Sequence, residues 1–202
     1  IARLIKGTSK VGKELDSLTD VISFGVAPAF IMYFWSLNEI GRVGWLICLV
    51  YVMCVALRLA RFNVSSEGEP SWRDNFFEGI PSPAGGVLVL MPLIYSYSEF
   101  QIINVNYQIV VPILFILISG LLVSKIPTYS FKKIKVQRSF TIFLLLGIVF
   151  YFGLILIYTF NALILSALMY FFMIPISSLH YLSMRKKFDI ELNNIEDHED
   201  IL

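Results

Sequence analysis

Apolar residues dominate six long segments of the chain, and shorter polar stretches separate them. A helix needs about 20 apolar residues to cross the hydrocarbon core of a bilayer. The pattern therefore predicts an all-α, polytopic integral membrane bundle with about six transmembrane helices. The first residues, IARLI, are interpreted as the end of an earlier span. The six predicted spans are residues 13–37, 43–63, 81–98, 107–124, 140–158 and 161–182.

Composition agrees with this fold class. Of the 202 residues, 57% are hydrophobic and 15% are charged, whereas about 25% are charged in typical soluble domains. The net charge of +1 gives no basic balance that favours nucleic acid, so no nucleic-acid partner is expected. Residues 1–188 are interpreted as one transmembrane domain. The acidic, polar residues 189–202 are predicted to form a disordered cytoplasmic tail.

Lysine and arginine positions predict the orientation. If the N-terminal segment is cytoplasmic, fifteen of the sixteen basic residues lie at cytoplasmic ends and loops, and only Arg42 lies outside. Cytoplasmic loops of membrane proteins carry such an excess. We therefore expect a protein of the cell (inner) membrane whose functional site faces the cytoplasm.

Two aspartates stand at the start of the first span, in the stretch GKELDSLTD. Residues four apart share a face of a helix, so Gly12, Asp16 and Asp20 form one stripe. An acidic residue in a helix's first turn is also favoured by the helix dipole. That simpler explanation suits Glu14 and is open for Asp16, but it suits Asp20 poorly. An ionisable residue two turns into a membrane segment indicates a functional site.

Carboxylates at headgroup depth suit two kinds of chemistry. Magnesium takes hard oxygen ligands and is usually held by one or two carboxylates together with substrate phosphates. Alternatively, one carboxylate can act as the general base that removes a proton from an attacking hydroxyl. Both roles stay open on the residues alone.

The same stretch carries a family resemblance. Ala2 and Arg3, eight spacer residues, and then Gly12-x-x-x-Asp16-x-x-x-Asp20 are similar to the second part of the CDP-alcohol phosphotransferase signature, D-x-x-D-G-x-x-A-R-x8-G-x-x-x-D-x-x-x-D. The first part would precede Ile1, so the chain is interpreted as an N-terminally truncated fragment. The alternative is a degenerate protein that lacks a complete site. The family fold is expected to have eight transmembrane helices in full.

The resemblance implies roles for individual residues. Asp16 and Asp20 are expected to hold a divalent metal, Mg²⁺ or Mn²⁺, and Asp20 is expected to act as the general base. Arg3, Thr8, Gly12 and Asp16 are expected to contact the nucleotide or its phosphates. At Gly12 the missing side chain would let backbone or nucleotide approach closely.

Two further stretches, LRLARFN and FFEGIPSPAGG, resemble the branch of that family that acts on serine. Arg58 and Arg61, three apart on a predicted helix, are candidates for gripping a carboxylate or a phosphate. They also suit simple snorkelling to lipid headgroups. Ser82 lies between two prolines at a predicted helix start. It is a candidate for an anion-binding position, or the stretch only shapes the entry to the helix.

The resemblance implies transfer of a phosphatidyl group from CDP-diacylglycerol to the hydroxyl of L-serine, with CMP released, by a homodimer in the lipid membrane. One alternative is the same chemistry with glycerol 3-phosphate, inositol phosphate or choline as acceptor. An ion-coupled transporter that uses Asp16 and Asp20 is the alternative from another class. Transporters more often place their charges near the membrane midplane, at broken helices of repeated halves.

Overall fold

The computed structural model describes residues 10–64, 76–99, 101, 104–129 and 138–199. The first long helix has three parts, which are α1 (Lys10–Val21), a π-helical segment (Ile22–Val26) and α2 (Ala27–Trp35). A 3-10 turn, Leu37–Ile40, connects it to the next helix. The elements that follow are α3 (Arg42–Val64), β1 (Phe76–Glu78), α4 (Ser82–Ser96), α5 (Tyr107–Val123), β2 (Pro127–Tyr129), α6 (Arg138–Ile157) and α7 (Thr159–Glu199).

Each of the six apolar segments predicted as a span contains a helix, and the helical membrane bundle is confirmed. Within the described part of the chain, four helical stretches are long and apolar enough to cross a membrane: Glu14–Trp35, Arg42–Asn63, Phe140–Ile157 and Thr159–Met184. The other two, α4 and α5, are apolar but shorter, with 15 and 17 residues. These features make the chain an integral membrane protein.

The centre of the bundle is formed by α3, α4 and α5. Tyr51 and Val55 of α3, Val89 of α4, and Phe115 and Ile118 of α5 are fully buried. The Tyr51 and Phe115 rings meet edge to face, with centroids 5.3 Å apart. In contrast, no residue of the apolar stretch of α6 is buried, and α6 is exposed over most of this stretch and packs against α7.

A two-stranded antiparallel sheet joins the segments that follow α3 and α5. Phe76 lies opposite Tyr129, and Glu78 lies opposite Pro127. Gly79 follows β1 with a φ of +71°, and its N–H donates to the backbone oxygen of Ile126 at 2.9 Å. The apolar periodicity predicted only helices, because a strand of three residues is too short to leave a periodic pattern.

The disordered tail predicted for residues 189–202 stays a prediction. Helix α7 continues through Glu199. The physical reason is that propagation from an existing helix adds one hydrogen bond per residue without a new nucleation cost. A polar segment that follows a membrane helix can therefore stay helical without a packed face. The boundary at residue 188 stays a prediction.

The π-helical segment is held in place by α3. Pro28 has no N–H, so it cannot donate a helical hydrogen bond to the carbonyl of Phe24, four residues earlier. The Tyr51 hydroxyl donates to that oxygen instead, at 2.7 Å. Gly25 faces Val55, and a Cβ on Gly25 would lie 3.4 Å from the Val55 side chain. This close approach aligns the first helix with α3 and so sets where α1 lies.

Candidate active site

Helix α1 presents the predicted acidic stripe. Gly12, Asp16 and Asp20 all lie within Lys10–Val21, and their spacing of four places them on one side of the helix. Gly12 and Asp16 are exposed, whereas Asp20 is half-buried. Asp20 is thus the carboxylate nearer the packed interior.

A cavity of about 270 Å³ opens between α1 and the C-terminal end of α3. Its walls combine two carboxylates, one guanidinium and two small polar side chains with two apolar residues. The lining residues are Asp16, Ser17, Asp20, Arg58, Leu59, Phe62 and Asn63. Three of the candidates from the sequence, Asp16, Asp20 and Arg58, therefore share one cavity although they come from two helices.

A side-chain hydrogen bond ties the two walls of the cavity together. Asn63 Nδ2 of α3 donates to Ser17 Oγ of α1 at 2.9 Å. The sequence left Asn63 open between a capping and a binding role, and it gave Ser17, which directly follows Asp16, no role of its own. The bond keeps the end of α3 beside the aspartate stripe, so both residues position the cavity.

Arg58 is buried and lies at the junction of three helices. Only 9% of its surface is exposed, and its Nη1 donates to Ser82 Oγ at 3.0 Å. Ser82 is fully buried at the first residue of α4, directly after Pro81. The Asp20 carboxylate lies within electrostatic reach of the same guanidinium. Simple snorkelling does not describe this side chain, because its guanidinium is turned into the protein.

Arg61 does not join this cluster. Its Nη1 donates to the backbone oxygen of Val123, the last residue of α5, at 2.8 Å. Residues three apart on a helix differ by about 60° around the axis. That angle is enough to direct Arg58 towards α1 and α4 and Arg61 towards α5. Arg61 therefore caps the end of α5, and it is not among the residues that line the cavity.

The donor atoms of the cavity suit a divalent cation. Among the described residues, no three His, Cys, Asp or Glu side chains gather into a metal-binding group. Asp16 and Asp20 still supply carboxylate oxygens to one cavity. Magnesium is commonly held by one or two carboxylates plus substrate phosphates. The two aspartates therefore fit a cation that is shared with a phosphate-bearing substrate.

Two predicted nucleotide-contacting residues, Arg3 and Thr8, lie outside the described residues. Gly12 is described, but it does not line the cavity.

The fold and this acidic cavity define an integral membrane protein with a site suited to a cation and a phosphorylated ligand. A model of the CDP-alcohol phosphatidyltransferase family matches residues 1–179. The chain belongs to that family.

Several relatives carry the name CDP-diacylglycerol--serine O-phosphatidyltransferase. The protein from Helicobacter pylori (strain ATCC 700392 / 26695) is 39% identical over 135 residues, which cover 67% of this chain and 55% of the relative. The Bacillus subtilis (strain 168) protein is 35% identical over 65% of this chain and 66% of the relative. The Mycobacterium leprae (strain TN) protein is 45% identical over 45% of this chain and 30% of the relative. The alignment thus spans about half the length of the H. pylori protein.

Proposed function

We propose that the protein transfers the phosphatidyl group of CDP-diacylglycerol to the hydroxyl of L-serine, which yields phosphatidylserine and CMP. The observation that carries the proposal is that Asp16, Asp20 and Arg58 line the same cavity. It combines a potential base, a potential metal ligand and a buried cation. Family membership and the names of the relatives support the same reaction.

In the proposed reaction, Asp20 takes the proton of the serine hydroxyl. The serine oxygen then bonds to the phosphorus that carries diacylglycerol, and the bond from that phosphorus to the CMP oxygen breaks. A positioned general base contributes about 10²–10⁴-fold to a rate. Asp20 suits this role because it is half-buried and faces the cavity.

Asp16 and Asp20 would hold Mg²⁺ or Mn²⁺. Such an ion, when bound, supplies positive charge that stabilises the phosphate oxygens of the leaving group. Arg58 adds a fixed positive charge in the same cavity. Its guanidinium is oriented by Ser82, so it can bind an anionic group without reorganising. An enzyme that uses another acceptor would release CMP without forming phosphatidylserine, and an ion-coupled transporter would release no CMP.

We also propose that the cavity faces the cytoplasm, in the cell (inner) membrane. The support is the distribution of basic residues, of which only Arg42 falls on the opposite side. A homodimer is proposed on the family resemblance alone.

The test is product formation by the full-length protein in vesicles with CDP-diacylglycerol, labelled L-serine and Mg²⁺ or Mn²⁺. Labelled phosphatidylserine and equimolar CMP are expected, and a chelator should abolish both. Asp20→Asn should lower kcat by about 10²-fold or more. Glu14→Gln is the matched control, because Glu14 is an exposed acid on the same helix that does not line the cavity.

Three outcomes would contradict the proposal. Product with glycerol 3-phosphate, inositol phosphate or choline but none with serine would refute the acceptor. Ion flux coupled to a solute, without CMP release, would favour the transporter. Full activity in Asp20→Asn would refute the role of Asp20 as the base.

A further inference from the structure

One face of α7 is buried against the rest of the bundle and carries two hydroxyl groups. Ala167, Ile174 and Ser177 are buried, and Tyr170 is partly buried against the same core. Their spacing of three and four residues is that of one helix face. This face packs against α4 and β2. Neither hydroxyl belongs to a motif that the sequence made conspicuous.

Three side-chain atoms in this region are buried and have no hydrogen-bond partner within the described part of the chain. They are Arg58 Nε, the Tyr170 hydroxyl and Ser177 Oγ. Leaving a buried donor unsatisfied disfavours the folded state, and more strongly when the group is charged. A ligand, an ordered water or an ion can supply the missing partner of such a group. The Arg58 Nε–H belongs to a charged group, and the Nη1 of that guanidinium is already bonded to Ser82. The missing partner of Nε is therefore the most unfavourable of the three.

Arg58 and Tyr170 interact electrostatically. The Tyr170 hydroxyl lies within electrostatic reach of the guanidinium and beside Thr128 of β2. The Thr128 hydroxyl donates its own proton to the backbone oxygen of Gly79 at 2.8 Å. Thr128 can therefore only accept from Tyr170, and the Tyr170 hydroxyl forms no hydrogen bond of its own within the described part of the chain, so its proton is available to a ligand. Ser177 is seven residues further along α7, about 10 Å along the axis, so it is not part of this pair.

We propose that Arg58 Nε–H and the Tyr170 hydroxyl together bind the carboxylate of the acceptor, which makes Tyr170 a specificity-determining residue for a free amino acid. This inference rests on the proposed function. Two buried, unpartnered donors that lie within electrostatic reach of each other suit an anionic group. A carboxylate is planar and small enough to accept from both. Acceptors without a carboxylate leave the pair unsatisfied, which is the strongest means by which a polar pocket rejects an analogue.

The experiment measures steady-state kinetics of the full-length Tyr170→Phe variant in vesicles, with CDP-diacylglycerol and L-serine. The KM for serine is expected to rise about tenfold or more, because a hydrogen bond to a charged group is lost. The KM for CDP-diacylglycerol and kcat should change less than twofold. Ser177→Ala is the matched control. It removes another buried, unpartnered hydroxyl from the same helix face and should leave the serine KM unchanged.

Serinol, in which a hydroxymethyl group replaces the carboxylate, separates recognition from a general structural effect. Its KM, or its inhibition constant against serine, should be the same in the wild type and Tyr170→Phe. An unchanged serine KM in Tyr170→Phe would overturn the inference. So would equal weakening of serine and serinol, or a parallel rise in Ser177→Ala. If the wild type makes no phosphatidylserine, the proposed function fails and this inference falls with it. If only the Tyr170 result is negative, the proposed function stands.

Discussion

The hydrogen bond from Tyr51 to the Phe24 carbonyl offers a direct test of how the site helix is held. Tyr51→Phe removes one oxygen from a side chain that is fully buried. It leaves the Phe24 oxygen without its donor at 2.7 Å. The backbone N–H that an α-helix would offer to this oxygen is missing, because position 28 is a proline.

The expected loss of stability follows from these facts. Leaving a buried acceptor unsatisfied costs about 1–3 kcal/mol. For a chain of this length, each kcal/mol shifts the melting temperature by about 2–4 °C. Thermal unfolding in detergent should therefore show a decrease of roughly 2–12 °C for Tyr51→Phe.

A double-mutant cycle identifies the cause. Pro28→Ala restores a backbone N–H that can donate to Phe24, so Tyr51→Phe should cost less in that background. A coupling of at least about 0.5 kcal/mol is expected for residues that share one partner. Additive effects of the two substitutions would refute the reasoning, because the Phe24 carbonyl would then not connect them. Tyr97→Phe, on an exposed tyrosine, serves as the control and should leave the melting temperature unchanged.

Three further predictions concern the site and its supports. Gly79→Ala should lower stability by at least about 1–2 kcal/mol, since a Cβ there would lie 2.8 Å from the Leu122 backbone oxygen; Gly120→Ala, with open space around it, is the thermal-unfolding control. Arg58→Lys should lower kcat/KM for serine about tenfold or more, since lysine lacks a fork that reaches Ser82 and a ligand together; recovery of wild-type kinetics would contradict this. Asn63→Ala should cost about 1 kcal/mol of stability and weaken substrate binding, and an unchanged KM would show that its bond to Ser17 does not position the cavity.

Much of the fold could be predicted from the sequence. A membrane helix pairs its backbone polar groups internally and needs apolar side chains, so it appears in the sequence as a continuous apolar run. The acidic stripe could also be predicted, since spacing along one helix fixes which residues share a face. The different directions of the Arg58 and Arg61 side chains could not be predicted from the sequence. Both lie at the end of α3, and only the positions of α4 and α5 decide that one meets Ser82 and the other Val123.

The surroundings of Tyr170 could not be predicted from the sequence either. The chain has ten tyrosines, and nothing in the local sequence separates Tyr170 from those at the membrane boundary. Its relation to Arg58 spans more than a hundred residues and depends on how α7 packs on α4 and β2. A polar contact between distant helices leaves no periodic signal in a single sequence. Such a contact is recognised from the structure, where a buried donor lacks a hydrogen-bond partner.

The contacts of α3 explain why the cavity forms at this end of the bundle. Successive residues on α3 meet successive parts of the first helix: Tyr51 bonds to the π-helical segment, Val55 packs on Gly25, and Asn63 bonds to Ser17. Arg58 lies between the second and third of these contacts and faces the cavity. The two helices are thus joined on both sides of the guanidinium. Their separation at Asp20 is set by rigid helix packing and not by a loop, which is the condition for holding the side chains of a site in a fixed geometry.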